Sequence, residues 1–218
     1  EASAGLPFYL HLAVDTHQQT GGRDENTVVS RSQILARFLQ HVDSSEIRSL
    51  EVLSAARIFD LGVFRRLVEA YGLPGDQITW ESLTSYSFVY PAGTGFRFHQ
   101  LMRTALAARL SPRATEEIHS LLRQLWDERA DRHAASEDRT ARARAVREAA
   151  YHGLHAGQLG PVELLDYADR AVRLGGRSAA DGITEDLRAW TADHPERTDF
   201  TDVVTCLDAE GEIGRAHV

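Results

Sequence analysis

The chain has 218 residues, a formal net charge of −8 and a hydrophobic fraction of 43%, values that are ordinary for a soluble globular protein. The negative balance disfavours nucleic acid or an anionic membrane as the main partner. All 24 basic residues are arginine, so the chain lacks the lysine of a Walker A loop. One cysteine excludes an internal disulfide, and no membrane span or signal segment is visible; the sequence therefore predicts a cytoplasmic protein.

Residues 1–43 are predicted to form a helical piece. Gly5-Leu6-Pro7 leads directly into an apolar helix, and Pro7 suits the first helical turn, where its missing N–H would be unpaired in any case. A capping-box pattern over Ser30–Gln33 opens a second helix. Pro7 has a plain interpretation as an ordinary helix-start residue.

Residues 44–111 alternate between helix and strand signals in an order that predicts a winged-helix domain. Three helices are expected first, capped by Ser45, Asp60 and Thr79. The β-formers Ser87–Tyr90, the turn residues Pro91–Gly95 and the alternating segment Phe96–His99 then predict a hairpin. A final helix follows His99, with apolar residues at helical spacing: Leu101, Met102, Ala105, Leu106 and Leu110.

Residues 112–210 are predicted to be entirely α-helical and TPR-like, with a polar tail over 211–218, so the whole fold is expected to be mainly α. A helix of about five turns carries the apolar stripe of Ile118–Trp126. Residues 127–148 are dense in charge and are expected to be mostly a solvated face, with pairs such as Glu128/Arg132. Further helices are expected from Pro161, over 183–190 and over 200–208.

Three side-chain groups in the helical region invite a chemical interpretation. Glu148, His152 and His155 share a helical face and could hold a metal, but ten histidines make such spacing common, and a helix–helix seam is the favoured place for both histidines. Cys206 has no histidine or aspartate arranged to activate it, which predicts a buried thiol. Four arginines are expected on a solvated face, with an acidic partner as the alternative: Arg139, Arg142, Arg144 and Arg147.

Three short motifs together resemble the STAND class of signal-transduction nucleoside triphosphatases, which includes the NB-ARC proteins. Gly5-Leu6-Pro7 is similar to the GxP motif that begins that family's helical domain. Phe98-His99-Gln100-Leu101 stands where the family has Met-His-Asp, after the second wing strand. The segment 148–157, EAAYHGLHAG, is similar to the first helices of the family's TPR-like sensor arrays.

The resemblance implies a regulatory, non-catalytic role in a larger nucleotide switch. It implies that Gly5 and Pro7 belong to the nucleotide-binding site of the intact parent, with Pro7 packed against the adenine, and that His99 contacts the phosphate of the diphosphate state. ADP or ATP would then bind to the intact parent protein, with the Walker motifs on a nucleotide-binding domain N-terminal to this chain. The helical region would contact a protein partner. Gln100 departs from the family's aspartate, which bears on the strength of the His99 contact.

Two functions of other classes compete with this interpretation. A winged helix can bind DNA, which needs several cations aimed at phosphates. Between Arg66 and Arg97, however, the only formal charges are Glu69, Asp76 and Glu81, so a DNA-binding transcription regulator is disfavoured. A plain helical protein-interaction module would keep the fold without the nucleotide. An enzyme complete in this chain has no nucleophile–base pair to support it.

Overall fold

The computed structural model describes residues 42–132 and 138–216, in two compact units divided between Pro112 and Arg113. Within these ranges the chain is mainly helical, with one two-stranded antiparallel sheet. No helix among the described residues is long and apolar enough to cross a membrane. Unit 1 contains α1 Ser44–Leu53, α2 Leu61–Ala70, α3 Gln77–Ser85, β1 Val89–Ala92, β2 Gly95–Phe98 and α4 Gln100–Ala107, and the remaining helices are α5 Pro112–Arg132, α6 Arg139–His155, α7 Pro161–Gly175, α8 Arg177–Asp193 and α9 Thr198–Ala216.

Aspartates cap the first three helices of unit 1. Asp60 caps α2 as predicted, but the predicted caps Ser45 and Thr79 lie inside their helices. Asp43 accepts a hydrogen bond from the backbone N–H of Ser45 at 2.8 Å, and Asp76 accepts one from Thr79 at 2.8 Å. A carboxylate before the first turn bonds the open backbone N–H groups and interacts favourably with the helix dipole. Helices α1 and α3 therefore begin before the hydroxyl residues predicted to cap them.

The hairpin is present, with a shorter turn than predicted. Val89 pairs with Phe98 and Ala92 pairs with Gly95, which leaves a two-residue loop. Gly93 in that loop has φ of 60°, a conformation that glycine adopts without steric cost. Because this tight turn suffices, Pro91 and Ala92 belong to the first strand rather than to the turn.

Phe59, between α1 and α2, ties the helices of unit 1 to the hairpin. Its backbone N–H donates to the Phe96 carbonyl at 2.9 Å, and the Phe96 N–H donates back at 2.8 Å. A Cβ on Gly95 would lie 2.6 Å from the Phe59 carbonyl oxygen, so only glycine fits there. The Phe59 ring packs near the rings of Trp80 and Phe98, and this aromatic cluster forms the centre of the unit 1 core.

Unit 2 is a set of helices in which consecutive members of α6 to α9 pack together. Glu128 pairs with Arg132 on the exposed surface of α5, as predicted. Two helices are longer than their apolar patterns indicated, because α8 begins at Arg177 and α9 continues to Ala216. At the start of α8 the small residue Ala180 is buried, so burial begins before the first large apolar residue, Ile183.

Candidate functional site

His99 lies at the junction of the hairpin and α4. Its backbone N–H donates to the Phe88 carbonyl at 2.7 Å, and its Nδ1 accepts a 3.4 Å hydrogen bond from the backbone N–H of Leu101. His99 is therefore the N-cap of α4, and its side chain bonds to the helix that it begins. The side chain is half-buried, and this burial lowers the pKa of the imidazole below its usual value of 6.5. The neutral form consequently prevails at pH 7.

The other two residues of the predicted nucleotide site, Gly5 and Pro7, lie outside the described residues. Gln100, the residue that departs from the family's motif, is exposed in the first turn of α4.

The surface of α3 is uncharged or acidic. Ile78 is 80% exposed, and Glu81 accepts a hydrogen bond from Gln77. On the neighbouring hairpin, the guanidinium of Arg97 lies over the Tyr90 ring at 4.8 Å from its centroid. Arg97 is the only cation of residues 77–98, and its guanidinium is stacked on the hairpin. Helix α3 therefore presents no cation to a phosphate backbone.

A cluster of imidazoles joins α5 to α6 inside unit 2. The Nδ1 atoms of His119 and His152 are 2.8 Å apart, and both residues are buried. The ring of His155 stacks on that of His119 with centroids 5.0 Å apart. Glu148, itself buried, has its Oε2 3.9 Å from Nε2 of His152. His152 and His155 therefore lie at a helix–helix seam, as predicted.

The distance between the two Nδ1 atoms determines what this cluster can hold. At 2.8 Å one nitrogen donates a proton and the other accepts it, so the pair carries one N–H between the two atoms. Two nitrogens that ligate one tetrahedral zinc ion stand about 3.3 Å apart, which follows from Zn–N bonds of about 2.0–2.1 Å. Among the described residues, no group of three or more metal-ligating side chains has the geometry to bind a metal.

His119 is the member of this cluster that the sequence did not single out. It lies 33 residues before His152 and belongs to another helix, so no local spacing connects the two. The only available signal was its position next to Ile118 on the apolar side of α5.

Cys206 is exposed, so the prediction of a buried thiol is wrong. The buried face of α9 carries Phe200, Val203 and Leu207, and Cys206 falls beside this stripe. The thiol lies in the lining of a cleft between α7, α8 and α9. Cys206 is therefore exposed because its position in the helix lies off the buried stripe, although cysteine is usually a buried residue type.

The predicted solvated face of four arginines is confirmed for Arg139 and Arg144, which are exposed, and is wrong for Arg147, which is half-buried in an ion pair. Arg147 forms a bidentate ion pair with Asp186 on α8, with N–O distances of 2.8 and 3.0 Å. Arg139 donates to the backbone carbonyl of Arg173 at 3.0 Å. These contacts bind α6 to its neighbours, because a guanidinium can satisfy both carboxylate and carbonyl oxygens at a helix interface.

Comparisons of the chain with models of known families, with curated proteins and with solved structures found no match. The features of the molecule that bear on its function are therefore the geometry of His99 and of the unit 2 helices.

Proposed function

We propose that this chain is the regulatory, non-catalytic part of a STAND-type nucleotide-dependent switch. Unit 1 is a winged-helix domain that responds to the nucleotide, and unit 2 is a TPR-like helical region that binds a protein partner. One observation carries the proposal: three helices lead into an antiparallel hairpin, and His99 joins that hairpin to the next helix. The nucleotide itself, ADP or ATP, belongs to the nucleotide-binding domain of the parent protein.

The position of His99 suits a phosphate. The residue stands at the N-terminus of α4, where backbone N–H groups and the helix dipole favour negative charge. Its backbone is held by the hydrogen bond to Phe88, which fixes the point from which the side chain extends. A neutral imidazole carries one N–H, and contact with a phosphate would favour a second proton on the ring.

The charge of α3 disfavours a DNA-binding regulator. A helix that enters a groove needs cations directed at phosphates and base edges. On α3 the only formal charge is Glu81, and Asp76 caps its start. An anionic helix would be repelled by every phosphate it approached.

The test uses the intact protein that joins this chain to its nucleotide-binding domain. His99→Ala is expected to accelerate the release of a fluorescent ADP analogue and to raise basal signalling. The expected change is about 5- to 150-fold in affinity, the usual range of coupling between sites. His99→Asn makes the test specific, because asparagine is a strong N-cap and lacks the imidazole. A phosphate contact predicts that both variants lose ADP, whereas a purely structural role predicts rescue by asparagine.

Gln100 supplies the matched controls. Gln100→Ala removes an exposed neighbour and is expected to leave ADP release unchanged, whereas Gln100→Asp restores the family's motif and is expected to slow it. Wild-type ADP release in both His99 variants would remove this residue from the mechanism. The helices of unit 2 would then stand as a plain interaction module.

A further inference from the structure

We propose that the cleft between α7, α8 and α9 binds a segment of a partner protein that inserts a large apolar side chain and places a cation beside Asp166. This inference rests on the proposed role of unit 2 as the partner-binding region, and it adds the location and the chemistry of the contact. The cleft has a volume of about 360 Å³ and is formed entirely by unit 2.

Apolar side chains form part of the walls of the cleft, beside polar ones. Leu165 and Val172 of α7 face Ala180 of α8 and Leu207 of α9 across it. Val172 is 38% exposed, although the transfer of a valine side chain from water to an apolar environment is favourable. A volume near 360 Å³ is at the lower end of the usual range for binding pockets, about 300–1,000 Å³. A large aliphatic or aromatic side chain would cover this surface.

The charges at the cleft select the sign of the partner. Asp166 is exposed, and it forms no hydrogen bond or ion pair with any residue in the described part of the chain. The other carboxylate of the lining, Asp169, is paired with Arg173. The one cation of the lining, Arg177, donates to the Leu207 carbonyl at 2.6 Å and lies 3.6 Å from Asp181. The uncompensated charge is therefore negative, and it complements an arginine or lysine.

The remaining arginine of α7 is also engaged, which disfavours an acidic partner. Arg170 pairs with Asp127 and Asp131 of α5 and stacks on the Tyr167 ring. An acidic segment in the cleft would meet Asp166 directly and would have to displace one of these pairs. We therefore choose a basic, amphipathic segment over an acidic one.

Cys206 provides a direct reporter of occupancy, because it is the only cysteine of the chain and it lines the cleft. The experiment uses the full 218-residue chain and an acetylated, fluorescein-labelled helical peptide of leucine and arginine. A second peptide with glutamate in place of arginine is the control. The leucine–arginine peptide is expected to bind in fluorescence anisotropy and to slow the reaction of Cys206 with a thiol reagent in proportion to the fraction bound. The glutamate peptide is expected to do neither.

The two exposed valines of α7 give a matched pair of variants. Val172→Arg places a cation in the cleft and is expected to abolish peptide binding. Val162→Arg makes the same change at a residue that is 70% exposed outside the cleft lining, and it is expected to leave binding intact. Equal behaviour of the two variants would overturn the proposal, as would peptide binding that leaves Cys206 fully reactive.

A charge variant keeps the test valid if Val172→Arg disturbs folding. Asp166→Asn is expected to weaken peptide binding about two- to fivefold, the contribution of an exposed ion pair. Glu185→Gln removes an exposed carboxylate of α8 outside the cleft lining and is expected to leave affinity unchanged. A chain that dimerises through the cleft, with dissociation caused by Val172→Arg, would assign the surface to a second copy and overturn the proposal.

These measurements involve no nucleotide, so the assignment of the cleft can be refuted without refuting the proposed nucleotide switch. If the peptide does not bind while His99→Asn still accelerates ADP release, only the cleft assignment is lost. If the peptide binds and ADP release is unaffected, the cleft stands without the switch.

Discussion

The two units differ in where their buried polar side chains lie. In the described part of unit 1 the interior is apolar, and the one buried carboxylate there, Glu51, lies at the edge of the core, bonded to Arg109 at 2.6 Å and to Arg48 at 3.2 Å. In unit 2 the imidazoles of His119 and His152 face each other inside the helix packing. Unit 1 therefore depends on apolar burial, whereas unit 2 also depends on one internal polar contact.

This difference has a consequence for stability. A large ring in a close-packed core contributes through its area and leaves a cavity when it is removed. A buried hydrogen bond contributes little net free energy, yet it becomes costly when only one partner is removed. Variants of the two cores should therefore differ in how their effects combine.

The largest effect is expected from Phe59→Ala in unit 1. Phe59 is 1% exposed, and its ring centroid lies 5.0 Å from that of Phe98. Its removal should lower the free energy of unfolding of unit 1 by about 3–5 kcal/mol. Urea unfolding followed by Trp80 fluorescence, in a background with Trp126→Phe and Trp190→Phe, measures this unit selectively. Ile78→Ala is the control, because an 80% exposed side chain should change stability by less than about 0.5 kcal/mol.

The second effect separates unit 2 from unit 1 by its non-additivity. His152→Leu leaves the Nδ1 of His119 buried without its 2.8 Å partner and should cost about 1–3 kcal/mol. His119→Leu should cost a similar amount. The double variant should lose much less than the sum of the two, because neither polar group is then left buried.

The cycle is measured by urea unfolding with Trp190 as the only tryptophan, since Trp190 lies in unit 2. Losses that simply add would show that the two imidazoles contribute independently, in contradiction to a shared hydrogen bond. A matched cycle on Phe59 and Phe98 in unit 1 should show no such recovery, because each deletion enlarges the same cavity.

The sequence predicted the elements of both units better than their polar contacts. Helices and the hairpin follow from local periodicity, and the errors there are small: Asp43 and Asp76 replace the hydroxyl residues as caps because two candidates lie within one turn. The pairs His119–His152 and Arg147–Asp186 join residues 33 and 39 positions apart, and no local pattern carries that information. Cys206 was misplaced because residue type alone does not give the phase of a helix.

A third effect compares a tyrosine–carboxylate bond in each unit. The hydroxyl of Tyr167 donates to Asp127 at 2.7 Å, and that of Tyr86 donates to Glu46 at 3.1 Å. Tyr167→Phe should cost about 1 kcal/mol and Tyr86→Phe about 0.5 kcal/mol, since the first bond is shorter and both carboxylates keep other partners. Urea unfolding with the same single-tryptophan reporters measures both variants, and a larger loss for Tyr86→Phe would reverse the ranking.

Tyr167 also gives unit 2 a dependence on alkaline pH. Burial, followed by the hydrogen bond to Asp127, raises the pKa of Tyr167 to about 12, above the unfolded value of 10. The folded state then favours the protonated phenol, so this contribution is complete below pH 10 and is lost as the pH rises through about 12. Absorbance at the phenolate band should show late ionisation in the folded chain, and Tyr167→Phe should remove one phenol from that late part of the titration, to which Tyr86 also contributes because burial raises its pKa. Ionisation of every tyrosine near pH 10 would contradict the effect.

The smallest effect is expected at His99, the residue proposed to contact a phosphate. It tests whether unit 1 keeps the imidazole of His99 in its neutral form. Burial lowers the pKa of His99 in the folded state, so the unfolded chain takes up the proton more readily. The contribution of the neutral imidazole is therefore complete above pH 6.5 and is lost as the pH falls through the lower native value. Because the side chain is half-exposed, solvent limits the change to about 0.5 kcal/mol or less.

Two measurements, one on the wild type and one on a His99 variant, decide this last point. His99 proton shifts in NMR should titrate with a midpoint below 6.5, because burial disfavours the imidazolium. His99→Asn keeps an N-cap for α4 but has no titrating group, so the difference in unfolding free energy between variant and wild type should grow in the variant's favour as the pH falls from 7 to 5. A midpoint above 6.5 would mean that the folded chain stabilises the cation instead. His99 would then carry its positive charge before a phosphate binds. Nucleotide binding would no longer be coupled to uptake of a proton by the imidazole.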